Sequence, residues 1–112
     1  MIEHQRESLV SFIDSYVDSF EAWDILAYLA AHPTAHLSLE AMALDLGRRP
    51  EDISAAASKL ERRGILVADP GDGWFLSPDS DLRAALASFS EAIKEHKQRL
   101  FVLTRLLENL SR

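Results

Sequence analysis

The sequence predicts a mostly α-helical protein that carries one small β-hairpin. Three observations indicate this class. Apolar residues recur at helical spacing over most of the chain. The helical period is lost over residues 65–76, where two short apolar runs flank a turn rich in glycine and proline. A 3.5-residue apolar period then fills the last third of the chain. The length of 112 residues suits one domain with a modest core.

The first third of the chain predicts two helices. Residues 1–19 form one helix with a single apolar face. Residues 20–31 form a second helix, which ends at His32 because a residue before proline avoids helical backbone angles. Residues 34–37 are then long enough for a β-bridge or a short strand.

Two shorter helices and a hairpin are predicted next. Ser38 is a favoured N-cap for the first of these helices, and Gly47 is a favoured left-handed C-cap. Pro50 suits the first turn of the following helix. Residues 65–68 and 74–76 predict the two strands of the hairpin.

The segment 57–67 carries the most specific pattern in the chain. It places Leu60, Gly64 and Ile65 in the form L-x-x-x-G-[IL]-[LV]. This resembles the end of the recognition helix and the start of the wing in the winged helix-turn-helix superfamily, in the broad manner of MarR-, PadR- and ArsR-like bacterial regulators. The resemblance covers about residues 20–78 and implies a three-helix core with a β-hairpin wing.

The resemblance also implies a function, a dimeric DNA-binding transcriptional regulator. Members of this superfamily insert the helix before the wing into the major groove of double-stranded DNA. Carried over to this chain, the resemblance implies that DNA is contacted by residues of this helix that lie opposite its buried stripe and by the two residues before the helix. These residues are Arg48, Arg49, Ser54, Ala55, Ser58, Lys59 and Arg62.

The last segment, residues 79–112, predicts one long coiled-coil-like helix. Its seam alternates spacings of four and three residues through Leu82, Leu86, Phe89, Ile93, His96, Leu100, Leu103, Leu107 and Leu110. Such a helix would be roughly 45 Å long, more than a domain of this size covers by itself. We therefore expect a homodimer, although the stripe could instead pack on the domain's own core. The predicted interface comprises Leu9, Ile13 and Tyr16 of the first helix together with Leu86, Phe89, Ile93, His96, Leu100, Leu103, Leu107 and Leu110.

His96 is the polar position of this seam, and two hypotheses apply to it. It can lie at the seam edge and serve solubility. Alternatively, it can titrate near neutral pH and loosen the dimer in acid.

Charge leaves an alternative function open. The net charge is −6, and residues 1–37 hold six carboxylates and one cation. The wing segment 68–81 contains aspartates and no cation, whereas phosphate contacts require cations or other donors. The alternative is a winged-helix protein–protein interaction module that does not bind DNA. It would dock through the acidic N-terminal third or through Trp74 and Phe75.

Several classes are not expected. The chain has no cysteine, which excludes disulfides, thiolate nucleophiles and the common structural zinc sites. His32 and His36 flank Pro33 and fit solvated loop residues better than a metal pair. No recognisable catalytic frame or phosphate-binding glycine loop occurs, so we expect no enzyme, cofactor or metal. The N-terminus lacks a signal-like apolar stretch, and the longest apolar run, 25–31, is too short to span a bilayer. We therefore expect a cytoplasmic protein without a membrane partner.

Overall fold

The computed structural model describes residues 2–71 and 73–111, with side chains from Glu7 onward. This part of the chain is mostly helical and contains one two-stranded antiparallel sheet, which confirms the predicted coarse class. No helix in it has the length and apolar character that a membrane span requires. The elements in chain order are α1 Ile2–Tyr16, α2 Phe20–Ala31, α3 Leu39–Leu46, α4 Pro50–Arg62, β1 Leu66–Ala68, β2 Trp74–Leu76, α5 Ser80–Lys94 and α6 His96–Leu110.

Local capping explains where the central helices begin and end. The Ser19 hydroxyl oxygen accepts the backbone N–H of Ala22 at the start of α2, at 3.0 Å. Ser38 caps α3 in the same way, and Gly47 ends that helix in the left-handed conformation, with φ at 65°. Both caps of α3 were predicted and are confirmed.

An aromatic cluster joins the N-terminal and C-terminal helices to the middle of the chain. The ring of Phe89 in α5 is fully buried and lies 5.3 Å from Phe12 of α1 and 5.8 Å from Trp23 of α2, measured between ring centroids. Aromatic pairs at this spacing bury a large apolar area in defined geometry. Phe89 is therefore the point at which α1, α2 and α5 share one core.

The hairpin is extended by one bridge to the chain before α3. In the hairpin, Leu66 pairs with Leu76 and Ala68 pairs with Trp74. Leu37 forms an isolated antiparallel bridge to Trp74, in agreement with the prediction for residues 34–37. This bridge requires glycine at position 73, because φ there is +76° and a Cβ would overlap the backbone carbonyl of Leu37.

The prediction of one continuous helix over residues 79–112 is wrong. Helix α5 ends at Lys94, Glu95 is extended with φ −95° and ψ 126°, and α6 begins at His96. The physical reason is packing: α6 turns at Glu95 and buries Val102 and Leu106 completely against α1 and α5. In a single chain, a straight helix would leave those two side chains in water, at a cost of about 2 kcal/mol each.

Candidate functional site

The outer face of α4 is the surface that sequence analysis assigned to DNA. Ile53, Ala57 and Leu60 are buried on one side of α4, and this fixes which residues point outward. We use the name α4 outer face for the exposed and half-buried residues opposite this stripe, which are Glu51, Ser54, Ala55, Ser58 and Arg62. Lys59 lies exposed at the edge of this face.

The turn before α4 sets the direction of the helix. After Gly47, the backbone N–H of Arg48 donates to the carbonyl of Ala43 at 3.0 Å. The carbonyl of Arg49 accepts from the backbone N–H groups of Asp52 and Ile53, which starts the helical hydrogen bonding. The predicted contacts Arg48 and Arg49 therefore flank the positive end of α4.

Most of the predicted DNA-binding cations already have carboxylate partners. The Arg48 Nε donates to Asp24 at 2.5 Å, which raises the pKa of Arg48. The Arg49 Nε lies 3.1 Å from the Asp52 carboxylate, and the Arg49 side chain is 74% exposed. These two pairs place negative charge directly beside the turn that leads into α4.

At the other end of α4, one aspartate between α1 and α2 holds two cations. The Asp18 carboxylate lies 3.8 Å from Lys59 Nζ and 3.1 Å from Arg63 Nη1. Arg62 is exposed, and within the described residues no carboxylate oxygen lies within 4.0 Å of its guanidinium. Among the cations predicted to bind DNA, Arg62 is therefore the one that the described residues do not pair with a carboxylate.

The aromatic side chains of strand β2 pack against other parts of the chain. The indole Nε1 of Trp74 donates to Glu61 of α4 at 2.8 Å, and the Phe75 ring lies 5.4 Å from the ring of His36. Both aromatic side chains are half-buried. Neither therefore offers the free aromatic anchor that the alternative function was expected to use.

A polar contact also connects the turn between β1 and β2 to the chain before α3. The His36 Nδ1 lies 2.6 Å from the Asp69 carboxylate, which also accepts the backbone N–H of Gly71 at 3.0 Å. Both interactions lower the pKa of Asp69, and the hydrogen bond from Gly71 has the larger effect. His32 stacks on the ring of Tyr28, so the two histidines have separate surroundings. Groups of metal-ligating side chains do not occur in the described residues.

Sequence reasoning missed an exposed leucine next to the turn between α3 and α4. Leu44 on α3 is 82% exposed, more than any other large apolar side chain in the described part of the chain. It borders a shallow concavity of about 530 Å³, lined also by Glu40, Arg48 and Pro50. The signal was present in the sequence, because Leu44 stands off the stripe formed by Met42, Ala43 and Leu46.

The predicted dimer interface divides into two parts. Ile13, Leu86 and Phe89 are at most 2% exposed inside the chain's own core, so they are not accessible to a second copy in this conformation. For these residues the prediction needs correction, because α5 packs against α1 and α2 of the same chain and buries them there. Leu9, Tyr16 and Ile93 are half-buried and pack against the same core.

The second part of the seam remains at the surface. Leu100, Leu107 and Leu110 are 49%, 47% and 49% exposed, and Leu103 beside them is half-buried. We call these four residues the α6 leucine face. His96 is exposed at the start of the same face. Side chains spaced four and three apart on one helix form a continuous apolar ridge.

A comparison of the chain with protein-family models, curated proteins and solved structures found no match.

Proposed function

We propose that the chain is a homodimeric winged helix-turn-helix regulator that binds double-stranded DNA through α4. The observation that carries this proposal is the α4 outer face: Ser54, Ala55 and Ser58 form a surface of small side chains next to the exposed Arg62. Small residues allow close approach to a groove, and serine and arginine supply donors for bases and phosphates.

The order of elements supports the winged-helix interpretation. The bridge residue Leu37 stands between α2 and α3, and the hairpin β1–β2 follows α4 directly. Helix α4 packs against α2, α3 and β1. This arrangement leaves the opposite side of α4 open, which a helix requires in order to enter the major groove.

The carboxylates around α4 are compatible with DNA binding at low ionic strength. Exposed ion pairs contribute only about 0–1 kcal/mol, so phosphates can replace the carboxylate partners of Arg49 and Lys59 at low cost. The net charge of −6 opposes association at long range. We therefore expect weak nonspecific affinity and a marked dependence on salt.

The α6 leucine face supports the dimer. Three of its leucines are about half exposed in a single chain, and a second copy would remove them from water. Two copies related by a two-fold axis would present two α4 helices to successive major grooves.

A titration of labelled duplex DNA, followed by fluorescence anisotropy at several salt concentrations, tests the proposal. The slope of log K against log salt should lie between about −2, for Arg62 of both copies alone, and about −7, for Arg48, Arg49, Lys59 and Arg62 of both copies. Arg62→Ala should weaken binding and reduce the slope by about 1–2. Arg99→Ala, an exposed cation of α6, is the matched control and should leave both unchanged. Wild-type protein that binds no duplex at low salt would refute the proposal.

Leu44 favours a second candidate function, a protein-interaction module. An 82% exposed leucine beside a shallow concavity suits an apolar anchor from another protein better than it suits phosphates. Leu44→Ser separates the two candidates, because it should leave the salt slope for DNA unchanged and abolish binding of a protein partner.

A further inference from the structure

The junction between α5 and α6 is unusually short. A single extended residue, Glu95, links two helices of 15 residues each. Helix–helix connections usually contain about two to eight residues. The sequence from Ser80 to Arg112 contains no glycine or proline, so no residue at the junction forbids a helix.

Two kinds of contact hold the turn in place. The Glu95 carboxylate accepts the backbone N–H groups of Lys97 and Gln98, at 3.1 and 3.0 Å, and so caps α6. The second kind of contact is the packing of α6 against α1 and α5. The turn therefore depends on tertiary contacts and one cap.

The apolar seam continues through the turn. Leu82, Leu86, Phe89 and Ile93 precede Glu95, and the α6 leucine face continues the same alternation of four and three. We call the structure with the turn at Glu95 the bent form. In the bent form, the part of the seam before Glu95 faces the core, whereas the part after Glu95 is largely exposed. In a straight helix, both halves would lie on one face.

The surface that receives α6 belongs to α1 and α5 of the same chain. Val102 and Leu106 are fully buried there. Arg105 makes two hydrogen bonds to the Asp14 carboxylate, at 2.9 and 2.7 Å, and Asn109 donates to the same carboxylate at 2.8 Å. A second copy carries an identical α6, and that helix would find identical partners.

We propose that two copies of the chain exchange α6. In each copy, Glu95 becomes helical, α5 and α6 join into one helix roughly 45 Å long, and α6 docks on α1 and α5 of the partner. The exchange recreates between chains the contacts by which α6 docks on α1 and α5, and it gives up only the Glu95 cap. This inference rests on the dimer in the proposed function and does not depend on DNA binding.

One substitution separates the bent form from the straight form. In the bent form, His96 is the first residue of α6, its side chain is exposed, and Glu95 before it is extended. His96→Pro is therefore compatible with the bent form, since proline is favoured at a first helical position and requires an extended residue before it. In the straight helix the same proline would stand in the interior and disrupt it. His96→Ala is the matched control, and Glu95→Ala removes the α6 cap that the straight form does not use.

A charge exchange identifies which chain supplies α6. Asp14→Arg in one copy and Arg105→Asp in another each place like charges together when α6 docks on its own chain. In a mixture, exchange of α6 between the two variants restores an opposite-charge pair at both docking surfaces. The heterodimer should therefore exceed the statistical half of all dimers.

The oligomeric state, measured without DNA by sedimentation at micromolar concentrations, completes the test. Wild type and His96→Ala should dimerise, His96→Pro should raise the dimer dissociation constant more than about a hundredfold, and Glu95→Ala should lower it. A His96→Pro dimer as tight as wild type, or a mixture with only statistical heterodimer, would overturn the exchange and leave the proposed dimer intact. Wild type that stays monomeric would overturn both the exchange and the dimer.

Discussion

Truncation of Phe89 tests whether the first half of the seam belongs to the chain's own core. The Phe89 side chain is fully buried and lies within 5.8 Å of aromatic rings from two other helices, Phe12 and Trp23, measured between ring centroids. Phe89→Ala removes that ring and leaves a cavity, because three helices cannot collapse into the space together. A change of this kind lowers the free energy of unfolding by about 3–5 kcal/mol. That is a large part of the roughly 5–15 kcal/mol that stabilises a small domain.

Urea denaturation, followed by far-ultraviolet circular dichroism at two protein concentrations, measures the effect. The midpoint should fall by about 2–3 M at both concentrations, because the lost contacts lie within one chain. Leu107→Ala is the matched control: its side chain is 47% exposed, so it should cost below about 1 kcal/mol when the protein is dilute. A Phe89→Ala midpoint that falls by under about 0.5 M, or that recovers at high protein concentration, would refute the assignment of Phe89 to the internal core.

Two further predictions concern the β-hairpin. Gly73→Ala should lower the free energy of unfolding by more than about 2 kcal/mol, because the added Cβ overlaps a backbone carbonyl across the bridge; Gly47→Ala, with open space around its Cβ, should cost only about 1–2 kcal/mol in thermal denaturation. The backbone N–H of Gly71 and the ring of His36 lower the pKa of Asp69, so its ionised form stabilises the fold above pH 4, and this contribution disappears as the pH falls further. The stability difference between wild type and Asp69→Asn should accordingly shrink between pH 5 and 2 in urea titrations, and a difference that stays constant would contradict the origin assigned to the pKa shift.

Local rules were sufficient to predict the middle of the fold. Ser38, Gly47 and Pro50 act through their own backbone geometry, which depends on immediate neighbours in sequence. The buried stripe of α4 followed from its helical period in the same way. The outer face of α4, and hence the candidate site, could be read from these signals.

The C-terminal turn could not be predicted, because its cause lies far away in sequence. A heptad seam shows that a helix face needs apolar partners, but it does not show whether those partners belong to the same chain. Here the hydrogen bond between Asp14 and Arg105, which are 91 positions apart, helps to hold α6 against α1 of the same chain. The ion pairs between Asp18 and the cations Lys59 and Arg63 are likewise contacts between distant segments, so the local charge pattern gave no sign of them.

Amide chemical shifts, recorded on the labelled protein while duplex DNA is added at low salt, test the central claim most directly. We expect the largest changes in α4 and in the turn Gly47–Arg49 before it, with smaller changes in the β-hairpin, and we expect Arg62→Ala to reduce them. Changes confined to α6, or no changes at any DNA concentration, would contradict the assignment of α4 as a DNA-binding helix.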